Sequence, residues 1–311
     1  MLNLGRLQVL RAVVERGSFS AAADALSYTQ SAVSQSIARL ETETGAQLLV
    51  RGRRGVTPTP VGLTLVAHAE RIFAEVTAAQ EALAEATGRR LARLRVASFA
   101  SGGATLMPLA VARFRRRHPD VSLTLVEGEP EEIVPRMRAG ELDLALLFSF
   151  DGASSGRGAR SPAGLRAVTL LDDPMQLILP PDHPLAARSR VDLRELRTEP
   201  WVQTSVASAC ARHVVRCCAA AGFSPDVAFE SDDYDTVQGL VAAGVGIALV
   251  PRLALATAHP GIVARPLHPA SPVRRVTVAT ASGVRPAPAA LAMIEELTEV
   301  ARRHRGEPRA A

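Results

Sequence analysis

No lysine occurs in the 311 residues; all 36 basic side chains are arginine. With the abundance of alanine, this reads as the codon bias of a GC-rich bacterial genome, so arginine as such says little about chemistry. No basic stretch followed by an apolar one opens the chain, and no long apolar run occurs anywhere. Both absences argue against secretion and membrane spanning and make the cytoplasm the expected location. The cysteines are few: Cys210, Cys217 and Cys218. If their segment is helical, Cys210 and Cys217 share a face about 10 Å apart along the axis, beyond disulfide reach. Free thiols so placed pack as small hydrophobes. No His/Cys cluster has zinc spacing, so no metal is expected. No phosphate-loop or dinucleotide glycine motif appears, Gly244-Val245-Gly246 lacking a downstream glycine, so no cofactor is expected either. A nucleophile needs a base in reach. Here His118, His183 and His268 each neighbour proline in loop-like segments, and no Ser/His/Asp grouping accompanies them. Catalysis is not expected.

What is present begins with Gly17 to Glu43, which reads as two short helices joined by a tight turn. Phe19, Ala22, Ala23 and Leu26 give the first an apolar stripe. Ser27, Tyr28 and Thr29 break it, and Thr29 can cap the next helix with its hydroxyl. In that helix Val33, Ile37, Leu40 and Thr44 fall on one face. Ser31, Ser34, Gln35 and Ala38 fall on the opposite face, with Gln30 at its N-terminal end. Small neutral hydrogen-bonding groups suit close approach to base edges in a major groove; the alternative is a helical hairpin in a core. Leu48, Leu49 and Val50 then lead into Arg51-Gly52-Arg53-Arg54-Gly55-Val56-Thr57-Pro58. That is a short strand, a basic turn and a return strand, the makings of a β-wing. Arginines on such a turn suit phosphate contacts, which fix register without reading sequence.

These elements resemble the LysR-type transcriptional regulators. The matching residues are Leu4 and Leu7, Gly17-Ser18-Phe19 with Ala21-Ala22, and Gln30-Ser31-Ala32-Val33-Ser34. Leu40-Glu41, Gly45, Leu48 with Arg51, and Thr59 with Gly62 follow. Ser31 stands where the family usually has proline, Val50 where it has phenylalanine. Pro58 and Pro60 flank Thr59 in place of leucine and an acid. The resemblance implies an N-terminal all-α winged helix-turn-helix with a long linker helix, followed by an α/β two-lobed domain of the periplasmic-binding-protein type (type 2). It implies Thr29, Gln30, Ser31, Ser34, Gln35, Arg51, Arg53 and Arg54 as the contacts to double-stranded promoter DNA at an interrupted inverted repeat. It also implies a small-molecule effector, homodimers that assemble into tetramers, an approach to RNA polymerase, and no membrane. Charge agrees in direction: residues 1–58 hold seven arginines against four acids, in a chain of net charge +5.

Thr59 to Thr87 reads as one long helix of roughly 40 Å. Thr59 caps it and Pro60 takes its first position, where a missing N–H costs nothing. Leu65, Ala69, Ile72, Val76, Ala79 and Leu83 alternate at steps of four and three, the pattern of a coiled-coil seam. By resemblance this helix pairs between subunits. Gly88-Arg89-Arg90 makes a hinge. The expected division is thus 1–58 for DNA, 59–90 for linker and dimerisation, and 91–311 for regulation.

From Leu91 onward strand-like and helix-like segments alternate, which implies an α/β fold with a largely parallel sheet. His118-Pro119-Asp120-Val121, Gly140 to Leu144, Pro181 to Leu185 and Gly244 to Ala248 with Pro251 resemble family landmarks. They imply two lobes, 91–163 with 266–311 and 164–265, with crossings near Ser161–Arg166 and Ala264–Leu267. The Gly/Ser-rich segment Gly152–Gly164 reads as a mobile loop, and Arg303–Ala311 as a frayed tail.

A small-molecule site would lie between the lobes, at strand C-termini. Ser98, Phe99, Ala100 and Ser101 join a strand to a helix whose N-terminus can hold an anion; an ordinary Ser cap is the alternative. Gln203, Thr204 and Ser205 follow the Trp201 strand, and Phe148 and Ser149 end another. With no arginine in these segments, an uncharged ligand, or one carboxylate held by amides, is expected. The family also includes a peroxide sensor with two switching cysteines. Cys218 matches its second position and Cys210 stands one residue off its first.

Overall fold

The computed structural model describes residues 2–52, 55–86, 92–150, 162–206, 208–283 and 285–306. The wing tip Arg53–Arg54, the hinge Gly88–Arg90, most of the expected Gly152–Gly164 loop and the chain after Gly306 lie outside them. Two compact units form, Met1–Arg90 with Arg138–Glu141, and the rest from Leu91.

The first unit opens with α1 (Leu4–Arg16), α2 (Phe19–Leu26) and α3 (Gln30–Thr44). Each helix has a side-chain N-cap, from Asn3, Ser18 and Thr29 in turn, and Gly17 and Gly45 end α1 and α3 in the left-handed region. Glycine adopts that conformation without strain. The three helices bury Leu7, Leu10, Phe19, Val33, Ile37 and Leu40 in one core. β1 (Leu49–Gly52) and β2 (Gly55–Pro58) follow as an antiparallel hairpin in register Leu49 to Pro58 and Gly52 to Gly55. α4 (Pro60–Ala86) completes the unit. Thr59 caps it by accepting from the Gly62 N–H at 3.0 Å.

The second unit holds two lobes. β3 (Arg93–Ser98), β4 (Ser122–Glu127) and β5 (Leu144–Ser149) are parallel, with α5 (Ala100–Arg117) and α6 (Pro130–Arg138) between them. Leu144 to Phe148 is buried throughout, as a strand covered on both faces must be. β6 (Leu165–Leu179) then runs through both lobes. Its residues 165–174 pair antiparallel with β13 (Val273–Ala281), which also pairs with β5. Residues 175–178 pair instead with β10 (Ala248–Pro251), and residues 177–179 with β11 (Val263–Arg265).

Around these lie β7 (Val191–Asp192), β8 (Pro200–Gln203), α7 (Ala209–Ala220), β9 (Asp226–Glu230), α8 (Tyr234–Ala242) and β12 (Leu267–His268). β8 is parallel to β9, and Trp201 bridges to Ile247. α9 (Pro288–Gly306) packs back on the first lobe, where buried Glu296 is gripped by Arg113 and Arg117 of α5.

The lobe boundaries fall later than expected. Arg166 pairs with Thr280 in the first lobe, and Ala264 with Ile178 in the second. The exchange of partners occurs at Pro174–Met175, and the return lies between His268 and Val273. One continuous strand makes the passage, so no loop marks it in the sequence. Arg303 to Gly306, expected to fray, is the last turn of α9, where Arg302 and Arg303 pair with Glu299.

Candidate functional site

In the first unit the turn before α3 is set by Ser27, whose φ is 55°. Its conformation lets the Tyr28 N–H reach the Ala23 carbonyl at 2.9 Å. α3 therefore starts at a fixed angle to α2. Thr29 accepts from the Ala32 N–H at 3.2 Å and lies 3.0 Å from the Ser31 hydroxyl. Val33, Ile37 and Leu40 are buried, while Gln30, Ser31, Gln35 and Ala38 are exposed and Ser34 is half-buried. The buried stripe is the one the spacing predicts through Leu40, while Thr44, expected on the same face, is half-buried.

The wing is tied to this helix by Glu41, whose carboxylate accepts from the Leu48 and Leu49 N–H groups at 2.8 and 3.2 Å. At the wing's return, Val56 N–H donates to the Gly17 carbonyl at 2.9 Å. A Cβ on Gly55 would lie 2.7 Å from that same oxygen. Gly62 is tighter still, with an added Cβ only 2.1 Å from the Leu48 carbonyl oxygen. The backbone of Arg51 lies on β1 opposite Val56; its side chain, with Arg53 and Arg54, lies outside the described residues.

The expected seam on α4 divides in two. Ala69 is 0% exposed and sits with Val66 in the unit's own core, with Leu65 packed against it. The expectation for Leu65 and Ala69 is corrected: the helix needs them to hold α1 and the wing. Phe73 joins them, with the Arg11 guanidinium 5.1 Å above its ring. Beyond this point Ile72, Val76 and Leu83 are 37%, 40% and 66% exposed, and Ala79 is exposed too.

In the second unit a cavity of about 200 Å³ lies between the lobes. Phe99, Ala100 and Ser101 line it from the β3–α5 junction, and Thr204 lines it from the end of β8. Those expected residues are brought together. Ser98 is not on the wall: it is buried, and its hydroxyl donates to the Phe99 carbonyl at 3.0 Å. Phe148 stands behind the wall, edge-on to Phe99 with centroids 5.0 Å apart. Ser149 is half-buried at the end of β5, opposite Arg275. Gln203 faces a smaller adjoining space of about 10 Å³, and both its side-chain amide atoms are buried without a partner among the described residues. Ser205 contributes backbone, its N–H donating to Asp232 at 2.9 Å.

The centre of the site is a residue outside those segments, Arg274. It is 1% exposed and lies opposite Asp173, 0% exposed, in the β13–β6 ladder. Its Nε donates to Asp173 at 2.8 Å, and the other Asp173 oxygen accepts from the Leu253 N–H at 3.0 Å. The guanidinium also donates to the Ser101 hydroxyl and lies 4.7 and 4.9 Å from the Phe99 and Phe148 centroids. Burial on this scale demands such pairing. The three expected segments hold no arginine, and the site's arginine comes instead from β13, which the sequence reading did not include in the site. One signal pointed to it: in Arg274-Arg275-Val276-Thr277-Val278, strand alternation puts Arg274 on the face of Val276 and Val278. Those two valines are core.

Cys210 also lines the cavity, 3.7 Å from the Tyr234 hydroxyl and 4.0 Å from Arg274. Burial pushes its thiol up, with Arg274 pulling the other way. Burial and the adjacent Cys217 push Cys218 up to about 12. All three cysteines are free. On α7, Cys210 and Cys218 are about 12 Å apart along the axis, against the roughly 7 Å limit between disulfide Cα atoms. Glu129 lines the opposite wall, and burial, then neighbouring Glu131, raises its carboxyl to about 7. Among the described residues no cluster of three or more His, Cys, Asp or Glu is placed to hold a metal, and no helix is long and apolar enough to cross a membrane.

Two family profiles match this arrangement: "Bacterial regulatory helix-turn-helix protein, lysR family" over residues 4–63, and "LysR substrate binding domain" over residues 87–302. The chain belongs to the LysR family. As a LysR-family protein it is a DNA-binding regulator of transcription with a substrate-binding domain. It is 32% identical over 305 residues to the probable HTH-type transcriptional regulator LrrA of Synechococcus elongatus, covering 96% of this chain and 98% of the relative. It is 28% identical to the hydrogen peroxide-inducible genes activator of Dickeya chrysanthemi, covering 97% of this chain and 96% of that one. Among solved structures, a cysteine-to-aspartate variant of full-length OxyR from Pseudomonas aeruginosa matches with a TM-score of 0.58 and 26% identity, over 97% of this chain and 100% of that one.

Proposed function

We propose that this LysR-family chain holds its operator through α3 and the wing, dimerises through the outer part of α4, and responds to a small molecule bound between the lobes. Thr29, Gln30, Ser31, Ser34 and Gln35 read bases, while Arg51, Arg53 and Arg54 hold phosphates. Ile72, Val76, Ala79 and Leu83 supply the seam, and dimers pair further into tetramers on DNA. The protein acts in the cytoplasm, on promoter DNA with an interrupted inverted repeat, within reach of RNA polymerase.

One observation carries the effector reading: a cavity of about 200 Å³ walled by both lobes. A ligand there touches Ser101 and Thr204 together, so it favours one lobe arrangement over another, which is the differential affinity allostery requires. Thiol sensing, which the name of the peroxide-inducible relative suggests, is disfavoured. Cys210 and Cys218 are both held protonated at neutral pH and are separated along a helix. Reactive sensor thiols are low in pKa and accessible.

The test is a footprint on the interval upstream of the gene transcribed divergently from this one. Purified full-length protein is used with and without metabolites of the neighbouring pathway, and with hydrogen peroxide. A metabolite that shifts the footprint, with peroxide inert on the parent protein as on a Cys210→Ser variant, supports the reading. A peroxide-driven shift that disappears in that variant overturns it.

A further inference from the structure

The cleft wall is lopsided in charge. Glu127, Glu129, Glu132 and Asp232 all line it, and among the described lining residues Arg274 is the one cation. Arg274 does not fully offset them, because it is paired with Asp173, which is itself fully buried beside it. Nor does Arg212, which reaches across from α7 to pair with Glu131 on α6. Glu129 holds the strongest claim on a ligand: its Oε2 is buried and has no hydrogen-bond partner among the described residues. A buried carboxylate oxygen without a donor is costly to leave so. Gln203, 6% exposed with its amide also unpartnered, lies just behind Thr204, Cys210 and Tyr234 on the facing wall. An anion entering here would meet four carboxyl groups, with the lining arginine already paired to Asp173.

We propose that the effector bound in this cleft is a small organic cation carrying a primary ammonium group, seated on Glu129 against Phe99 and Tyr234. This rests on the effector reading above and names its ligand class. The ammonium has three donors and no acceptor, which suits a wall of carboxylates and the Thr204 and Ser208 hydroxyls. The aromatic side of the cleft already holds one cation, the Arg274 guanidinium between Phe99 and Phe148. Size fits as well, since a cavity of about 150 Å³ takes a benzene.

A bare metal ion is the poorer match, because among the described residues no three such ligands converge. Glu129 must be ionised to hold the cation. Its carboxyl stands at about 7, raised by burial and by Glu131, Asp232 and Glu132 and opposed by Arg274. Below that pH the proton stays and the attraction is lost; above it the carboxylate is present.

The experiment is calorimetric titration of the full-length protein with putrescine, butanediol, succinate and magnesium chloride, three organic probes of similar length and one metal. Putrescine is expected to bind and the other three not. Glu129→Gln should weaken it about tenfold or more, the worth of a hydrogen bond to a charged group. Lowering the pH from about 8 to about 6 should weaken it about tenfold in the parent protein and much less in Glu129→Gln. Ala100→Trp, which fills the cavity from the start of α5, should abolish binding.

Succinate or butanediol bound instead, and no longer bound in Ala100→Trp, overturns the cation and leaves the effector cleft standing. Putrescine bound equally well by Ala100→Trp and Glu129→Gln sits elsewhere and overturns both. Magnesium competing with putrescine for Glu129, or no putrescine binding at all, also overturns the ammonium proposal.

Discussion

The outward face of α3 and the wall of the interlobe cleft handle polar groups in opposite ways. On α3, Gln30, Ser31, Ser34 and Gln35 come from a single helical turn and its neighbour, are neutral, and stand on a separate buried stripe of Val33, Ile37 and Leu40. Changing one need not disturb the fold. In the cleft, Arg274, Asp173, and Ser101 with Phe99 come from three separate stretches of the chain and are bound to one another. There a polar side chain is also a structural member. Recognition on an exposed helix can thus be retuned residue by residue, whereas the cleft must be altered in compensating pairs.

The largest effect should come from breaking the cleft's pair. Arg274→Ala leaves Asp173 buried without its cation and should cost about 3–5 kcal/mol of stability in the second unit. Arg274→Met with Asp173→Asn should cost less than Arg274→Ala alone, because no bare charge remains. Chemical denaturation followed at Trp201, the chain's one tryptophan, reads both. Additive costs would mean that the pair is not a unit.

A change on the exposed part of α4 should act on assembly and not on folding. Ile72→Glu is expected to cost about 1.5–3 kcal/mol of dimer affinity, counting two isoleucines each about half removed from water. Ala69→Glu, by contrast, should unfold the first unit, because Ala69 is inside its core. Sedimentation and circular dichroism together separate the outcomes. An unaltered dimer in Ile72→Glu would reject the seam.

These contrasts follow what could be read in the sequence. α2 to α4 and the wing were legible because their signals are local: caps at Thr29 and Thr59, the break at Ser27 to Thr29, the basic turn after Val50, and stripes at helical spacing. The α4 seam was half legible. Periodicity finds an apolar stripe but does not say which partner covers it, so Ala69, buried in its own unit's core, looked the same as Ile72. The cleft was legible as Phe99, Ala100, Ser101 and Thr204, each beside a strand end. Arg274 and Asp173 are 101 residues apart in sequence, and neither is unusual until the β6–β13 register sets them side by side. The lobe boundaries were missed for a related reason: β6 changes partners at Pro174 without leaving strand geometry.

Against those structural effects, Ser34→Ala should leave stability nearly untouched and remove a hydrogen bond from the reading face. Specific operator affinity is expected to fall by about 1 kcal/mol, roughly fivefold, with nonspecific binding unchanged. Gel-shift titrations on operator and scrambled DNA would measure it. Equal losses on both would move Ser34 from reading to positioning.

The smallest effect on discrimination should come from the wing. Arg53→Ala with Arg54→Ala removes two charges that contribute to affinity for any duplex, so operator and scrambled DNA should weaken alike. What changes is the salt response. Each arginine withdrawn from a phosphate makes the slope of log K against log salt shallower by about 0.9, so the double variant should be shallower by about 1.8. The slope is a cleaner probe than affinity, because it counts charges and ignores base readout. Ser34→Ala should leave it unchanged. An unaltered slope in the wing variant would mean that the two arginines do not reach phosphates, and affinity would then have to come from α3 and from Arg51.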